Sequence, residues 1–221
     1  MMKKYIIFLP LIVFLSSGCG DKLSTTTNDE SQNLTTSLLA GTWTAKCSDN
    51  STASTSTKSV LLFSDAADNL TASTTIYSDL KCVTQNYIIR KMLNTIALGS
   101  KDVTSLNQII TKYTSVITSI TLEPQTLTSS TSLNSSSYCG ITGWSSGTET
   151  SIAGLTCGSI TYKSQNAAYK DLIQINSEKT FIRLGNTNNL GSNGYPKTLY
   201  TEEYFKECII AESTESIWWG C

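Results

Sequence analysis

Few residues in this chain have both the type and the spacing to do chemistry. Gly143-Trp-Ser-Ser-Gly147 has the GxSxG spacing of a nucleophile elbow, in which a serine on a strand-to-helix turn attacks an acyl carbon. That serine needs a histidine to take its proton, and the sequence contains none. A serine paired with a lysine would escape this requirement, and Ser78-Asp-Leu-Lys81 and Ser48-Asp-Asn50 spell SxxK and SDN. They stand in the wrong order, however, and no KTG follows. Glu202 and Glu203 are sequence neighbours, so a strand would turn them to opposite sides rather than onto one glycosidic bond. Asp65, Asp68 and Asn69 lie close together, with too few further oxygens nearby for calcium, and read as a polar turn. No CxxC spacing exists, and with no histidine a tetrahedral zinc site is not expected. The residues therefore predict a protein that is not an enzyme and holds no metal or cofactor.

The cysteines carry more information. The chain opens with Lys3 and Lys4, continues with a nearly unbroken apolar run from Tyr5 to Leu15, and reaches Ser16, Ser17 and Gly18 just before Cys19. A charged start, a short apolar run and small residues form a secretory signal, and about eleven apolar residues fall short of the roughly twenty that a membrane-crossing helix needs. Of the 7 cysteines, setting Cys19 aside leaves Cys47, Cys82, Cys139, Cys157, Cys208 and Cys221. An even number in an exported chain predicts three disulfides. Spacing does not choose among the possible connectivities; pairing neighbours, Cys47 to Cys82, Cys139 to Cys157 and Cys208 to Cys221, closes the shortest loops. Lys plus Arg at 16 nearly balance Asp plus Glu at 17, so no basic footprint for nucleic acid is present.

The elements that must position any site are β-rich. After a polar stretch at 19–37 that reads as a flexible tether, short segments rich in Thr, Val, Ile and Tyr recur between turn residues. Expected strands lie at 42–48, 58–64, 70–78, 85–98, 106–122, 159–163, 169–176, 179–185 and 199–209, with a tight hairpin turn at Asn176 to Lys179. In the third, Leu70, Ala72, Thr74 and Ile76 share one face. Two of these segments also carry helical spacing: Ile88, Met92 and Ile96, then Leu106, Ile109, Ile110, Tyr113, Val116, Ile117 and Ile120. The run of Thr, Ser, Val and Ile at 111–121 disfavours a helix, so strands are expected there. Residues 123–157 read as a Ser/Thr-rich loop insertion and 186–197 as a second long loop. Such loops are often functional, which makes Trp144 and Tyr195 candidate contacts for another macromolecule.

Two resemblances add to this reading. Leu15-Ser-Ser-Gly-Cys19 resembles the lipobox of bacterial lipoproteins, although Ser16 stands where that family usually has leucine. The resemblance implies cleavage after residue 18, acylation of Cys19 and anchoring in the cell envelope, with Gly20 favouring the outer membrane over the inner. Gly41-Thr-Trp43 resembles the opening of lipocalins and related calycin barrels, whose tryptophan plugs the barrel floor beside a basic residue. Arg183 and Lys206 are the candidates here, and arginine is the better stacker. The resemblance implies an all-β fold, an antiparallel lipocalin-like barrel of about eight strands, with a β-sandwich as the alternative. The expected chain is a signal at 1–18, a lipidated tether at 19–37 and one β domain at 38–221. Its expected role is to hold a small apolar ligand in the barrel mouth, the alternative being an envelope or surface interaction protein; oligomeric state is left open.

Overall fold

Strands alternate sides, so a chain of short, half-apolar strands can hide its apolar face only by closing on itself or stacking a second sheet against it. Here it closes. The computed structural model describes residues 34–103 and 109–207, with the backbone of two further short strands at Ala211–Ser213 and Ser216–Trp218. Cys19, the signal segment, the expected tether as far as residue 33, Leu106, Cys208 and Cys221 lie outside the described residues. Eight strands form the ring: β1 (Gly41–Ala45), β3 (Thr55–Phe63), β4 (Leu70–Tyr77), β5 (Gln85–Val103), β6 (Ile109–Pro124), β10 (Ala168–Ile175), β11 (Phe181–Leu184) and β12 (Tyr204–Lys206). Each pairs antiparallel with its neighbours, and β1 closes the ring by pairing with both β3 and β12. Short strands β2 (Ser48–Asn50), β7 (Thr150–Ser151), β8 (Thr156–Cys157) and β9 (Ile160–Thr161) attach to the connections or edges.

Because every ring strand reverses direction, the connections alternate between two ends. One end, the floor, gathers the turns at 64–69 and 176–180 and the short helix α1 (Thr36–Leu39) that leads into β1. The other, the rim, gathers 46–54, 78–84, 125–167 and 185–203. Both described disulfides belong to the rim: Cys47–Cys82, with Cα atoms 6.0 Å apart, ties the first two of these connections, and Cys139–Cys157 closes a loop inside the third.

The core follows the strand alternation. Leu61 and Phe63 of β3, Leu70 of β4, Leu93 of β5, Ile117 and Leu122 of β6, Ile173 and Ile175 of β10 and Ile182 of β11 all point inward and are buried. Both segments with helical spacing are strands, and in the first Met92 is exposed at 46% while Ile96 is buried. Register slips between Met92 and Leu93 and again between Asn94 and Ala97, and Thr95 takes a positive φ of 52°. Such bulges insert an extra residue, so Leu93 and Ile96, three apart, are both buried, as are Ile117 and Ile120 on the partner strand.

Two expectations need correction. The insertion is not a bare loop: it contains α2 (Leu127–Ser135), started by a reciprocal cap in which Thr126 Oγ1 accepts from the Ser129 amide at 3.1 Å and Ser129 Oγ accepts from the Thr126 amide at 2.9 Å. The second long loop is an arm folded back on itself, with bridges Gly185 to Leu199 and Leu190 to Pro196.

Candidate functional site

At the floor, Gly41 takes a φ of +106°, which a side chain would strain, and Trp43 follows with no exposed surface. Its indole N–H donates to the Leu39 carbonyl at 2.7 Å, so α1 caps the ring from below. Lys206 stands directly opposite Trp43 across the β1–β12 pair. Its ammonium lies 5.3 Å from the indole ring and donates to the Leu38 carbonyl at 3.2 Å. The cation at the floor is thus Lys206 and not Arg183. Arg183 pairs instead with Glu203 and lies 5.2 Å from Phe181, because strand parity turns it away from Ile182, which faces the core.

Above the floor the ring encloses a cavity of about 330 Å³, walled by every ring strand except β1. Leu61, Ala72, Ile89, Ile120 and Leu184 supply its apolar wall, and Lys91, Tyr169, Asp171 and Tyr204 its polar one. Lys91 and Asp171 occupy inward positions of strands that also turn Ile89 and Leu93, and Ile173 and Ile175, inward. On β10 the inward set is Tyr169, Asp171, Ile173 and Ile175, and Tyr113 of β6 faces Asp171 directly across the pair.

Asp171 is 1% exposed. One carboxylate oxygen accepts from the Leu172 amide at 2.7 Å; the other accepts from the phenols of Tyr169 at 2.9 Å and Tyr113 at 3.3 Å. Burial pushes its pKa up to about 6, against the opposing pull of Lys91, the amide and the two phenols. Lys91 donates to the Tyr169 hydroxyl at 2.9 Å, completing a chain from ammonium through phenol to carboxylate. Burial lowers the Lys91 pKa, the Asp171 charge raises it and Lys163 lowers it further. Both Tyr113 and Tyr169 are held well above the usual phenol range, first by burial and then by the Asp171 charge. Gly185 lets the rim arm close over this cluster: a Cβ there would come within 2.3 Å of the Asp171 carboxylate and 2.6 Å of Pro196.

A second cavity, also of about 330 Å³, adjoins the first and shares Lys91, Ile120, Tyr162, Tyr169 and Thr187 with it. It opens at the rim between the β8–β9 hairpin and the arm, which contribute Ile160 and Leu190. The two together form a chamber with a polar cluster partway along an apolar wall. That arrangement suits reversible binding of a small molecule with one polar group.

The loop candidates fare differently. Trp144 is 3% exposed: Asn134 clamps its backbone with bonds of 2.8 and 2.9 Å, and its indole N–H donates to the Tyr138 carbonyl at 3.3 Å. It is the core of the insertion and offers no outer contact. Tyr195 is half-buried, with Lys112 and Lys170 at 5.6 and 5.4 Å from its ring. The GxSxG serine, Ser145, lies exposed in an irregular segment and not on a strand-to-helix turn, and Ser78–Lys81 form a turn in which Asp79 accepts from the Lys81 amide at 2.6 Å. Glu202 accepts from Tyr204 at 2.6 Å while Glu203 meets Arg183, so the neighbours do diverge.

Asp171 and Lys91 were missed by motif reasoning, since neither belongs to a motif. Their signal was parity: an acid two residues from Tyr169 and Ile173, and a lysine two residues from Ile89 and Leu93. No family model matches this chain, and no curated protein matches it, so its function is read from the chamber alone.

Proposed function

We propose that this chain is an exported, lipid-anchored binding protein of lipocalin-like type that holds a small ligand inside its ring of strands. The observation that carries the reading is the chamber itself, a space of ligand size that starts within the ring, opens at its rim and is lined by apolar side chains around a few convergent polar groups. Supporting it are the up-and-down order of eight strands, the Gly41-Thr-Trp43 opening at the floor and the lysine over that tryptophan. Two disulfides are consistent with folding in an oxidising compartment. The polar cluster refines the expected ligand from purely apolar to one with a polar group beside its apolar body.

The test is to fill the chamber. Ala72 lines it from β4, and Ala72→Trp would occupy the space with an indole. Wild-type protein should bind the apolar fluorophore N-phenyl-1-naphthylamine with a saturable rise in emission, and Ala72→Trp should lose that rise while keeping its circular dichroism spectrum. Undiminished binding by a folded Ala72→Trp protein would overturn the reading.

A further inference from the structure

The outer half of the chamber is positively charged, with Asp171 one phenol behind it as counter-charge. Lys91, Lys163 and Lys170 line it, and no aspartate or glutamate does. Lys170 is satisfied by the Asn193 carbonyl at 2.9 Å. The other two converge on one ring: the ammonium of Lys91 lies 4.1 Å and that of Lys163, which also donates to the Ala168 carbonyl at 3.3 Å, 5.4 Å from the Tyr169 centroid. Neither forms an ion pair among the described residues. Glu202 lines the inner half, where it accepts from Tyr204 at 2.6 Å; Glu123 and Glu149 pair with Arg90 and Asp102 with Lys112. Asp171 stands behind Tyr169 with both oxygens already accepting hydrogen bonds. Two ammonium groups sharing one phenol repel each other, and Lys163 accordingly depresses the pKa of Lys91.

The walls are tyrosines. Tyr162 and Tyr169 border both halves of the chamber, and Tyr200 and Tyr204 the inner one. A tyrosine-lined cavity is often suited to an organic cation, but here two of the protein's own cations already occupy that place over Tyr169. What the site lacks is an anion between them and a flat body to lie against the phenol faces. We propose that the chamber binds small aromatic anions, the acid group held between Lys91 and Lys163 and the ring seated against Tyr162, whose face no cation covers among the described residues. This rests on the reading of the chamber as a ligand site.

Three probes of similar bulk separate the terms by calorimetric titration of the full chain: 2-naphthoate, its neutral amide 2-naphthamide, and decanoate, which keeps the charge without the ring. The naphthoate should bind about tenfold more tightly than the amide, the equivalent of one charge-assisted contact, and more tightly than decanoate. Lys91→Gln should erase the preference for naphthoate over the amide without weakening the amide. Lys163→Gln, at an exposed position where folding is not at stake, should reduce that preference severalfold. Equal affinity for naphthoate and amide, or a preference that survives both substitutions, overturns the anion; decanoate binding as well as naphthoate overturns the aromatic body. If N-phenyl-1-naphthylamine binds and neither naphthalene probe does, the ligand class fails and the chamber reading stands. If the fluorophore also fails to bind, the chamber reading itself falls.

Discussion

Trp43 and Asp171 are buried almost equally, at 0% and 1% exposure, inside the same ring of strands. At the floor, the tryptophan fills its space, gives its one polar hydrogen to Leu39 and lies under a lysine whose charge also reaches a carbonyl. Every polar atom there is satisfied by the chain itself, and burial is favourable throughout. In the chamber, the aspartate is satisfied in hydrogen bonds yet kept from water with a charge that burial disfavours. Cavity space adjoins it. One end of the ring is finished as structure; the other holds a group that a purely structural core would have replaced by leucine or valine. The contrast separates what holds the ring closed from what the ring is for.

The largest expected effect lies at the floor. Trp43→Ala should cost about 3 to 5 kcal/mol, read as a lower midpoint in urea, because the indole leaves a void that neither α1 nor β12 can fill. A cost below about 1 kcal/mol, within the range of surface substitutions, would mean that the floor is not the packed end.

Next comes the pH dependence of Asp171. Its folded pKa of about 6 lies above the ordinary value of 3.8, so below about pH 4 the carboxyl is neutral in both states and carries no charge penalty. Between about pH 4 and pH 6 the folded chain keeps a proton that the unfolded chain has released, and stability falls as pH rises; above about pH 6 the loss is complete. A difference of that size between the folded and unfolded chains corresponds to about 3 kcal/mol. Asp171→Asn removes that slope, so the stability difference between variant and wild type should grow by roughly that amount from pH 4 to pH 7. Parallel pH profiles for the two proteins would remove the contrast between the ends.

The smallest effect returns to the floor. Lys206→Met keeps the aliphatic packing but removes the cation over Trp43 and its bond to Leu38, and should cost about 1 kcal/mol. A loss as large as that of Trp43→Ala would show that charge, rather than the indole, closes the ring.

The positions of the strands were legible because strand chemistry is local. Alternation placed Leu70, Ala72 and Thr74 on one face, and the Asn176 turn joins β10 to β11 as its residues suggest, with the Asn176 side chain accepting from the amides of Thr180 and Phe181. Two of the neighbour-paired disulfides, Cys47–Cys82 and Cys139–Cys157, are present. The bulges at Met92 and Asn94 were not legible, because a bulge and a helix turn both bring apolar residues three apart onto one side. The helix α2 was hidden by its composition: serine and threonine are weak helix formers, and its cap uses Ser129 where a glutamate or glutamine gives the usual signal. The choice of Lys206 over Arg183 depended on which strand follows which around the ring, a long-range fact that no window of residues contains. The chamber was the least legible, since a lysine from β5 and an aspartate from β10 become neighbours only when the ring closes.

The placement of the two disulfides bears on traffic through the rim. One staples the connections at 46–54 and 78–84, and the other cinches the 125–167 insertion. Of the four rim connections, only 185–203 carries no covalent tie among the described residues. It is held by Pro196 resting near Gly185, by Tyr195 beside two lysines and by backbone bonds within the arm. If a molecule enters and leaves the chamber, the arm is the door: strand pairing and crosslinks set how tightly the guest fits, and the arm sets how long it stays.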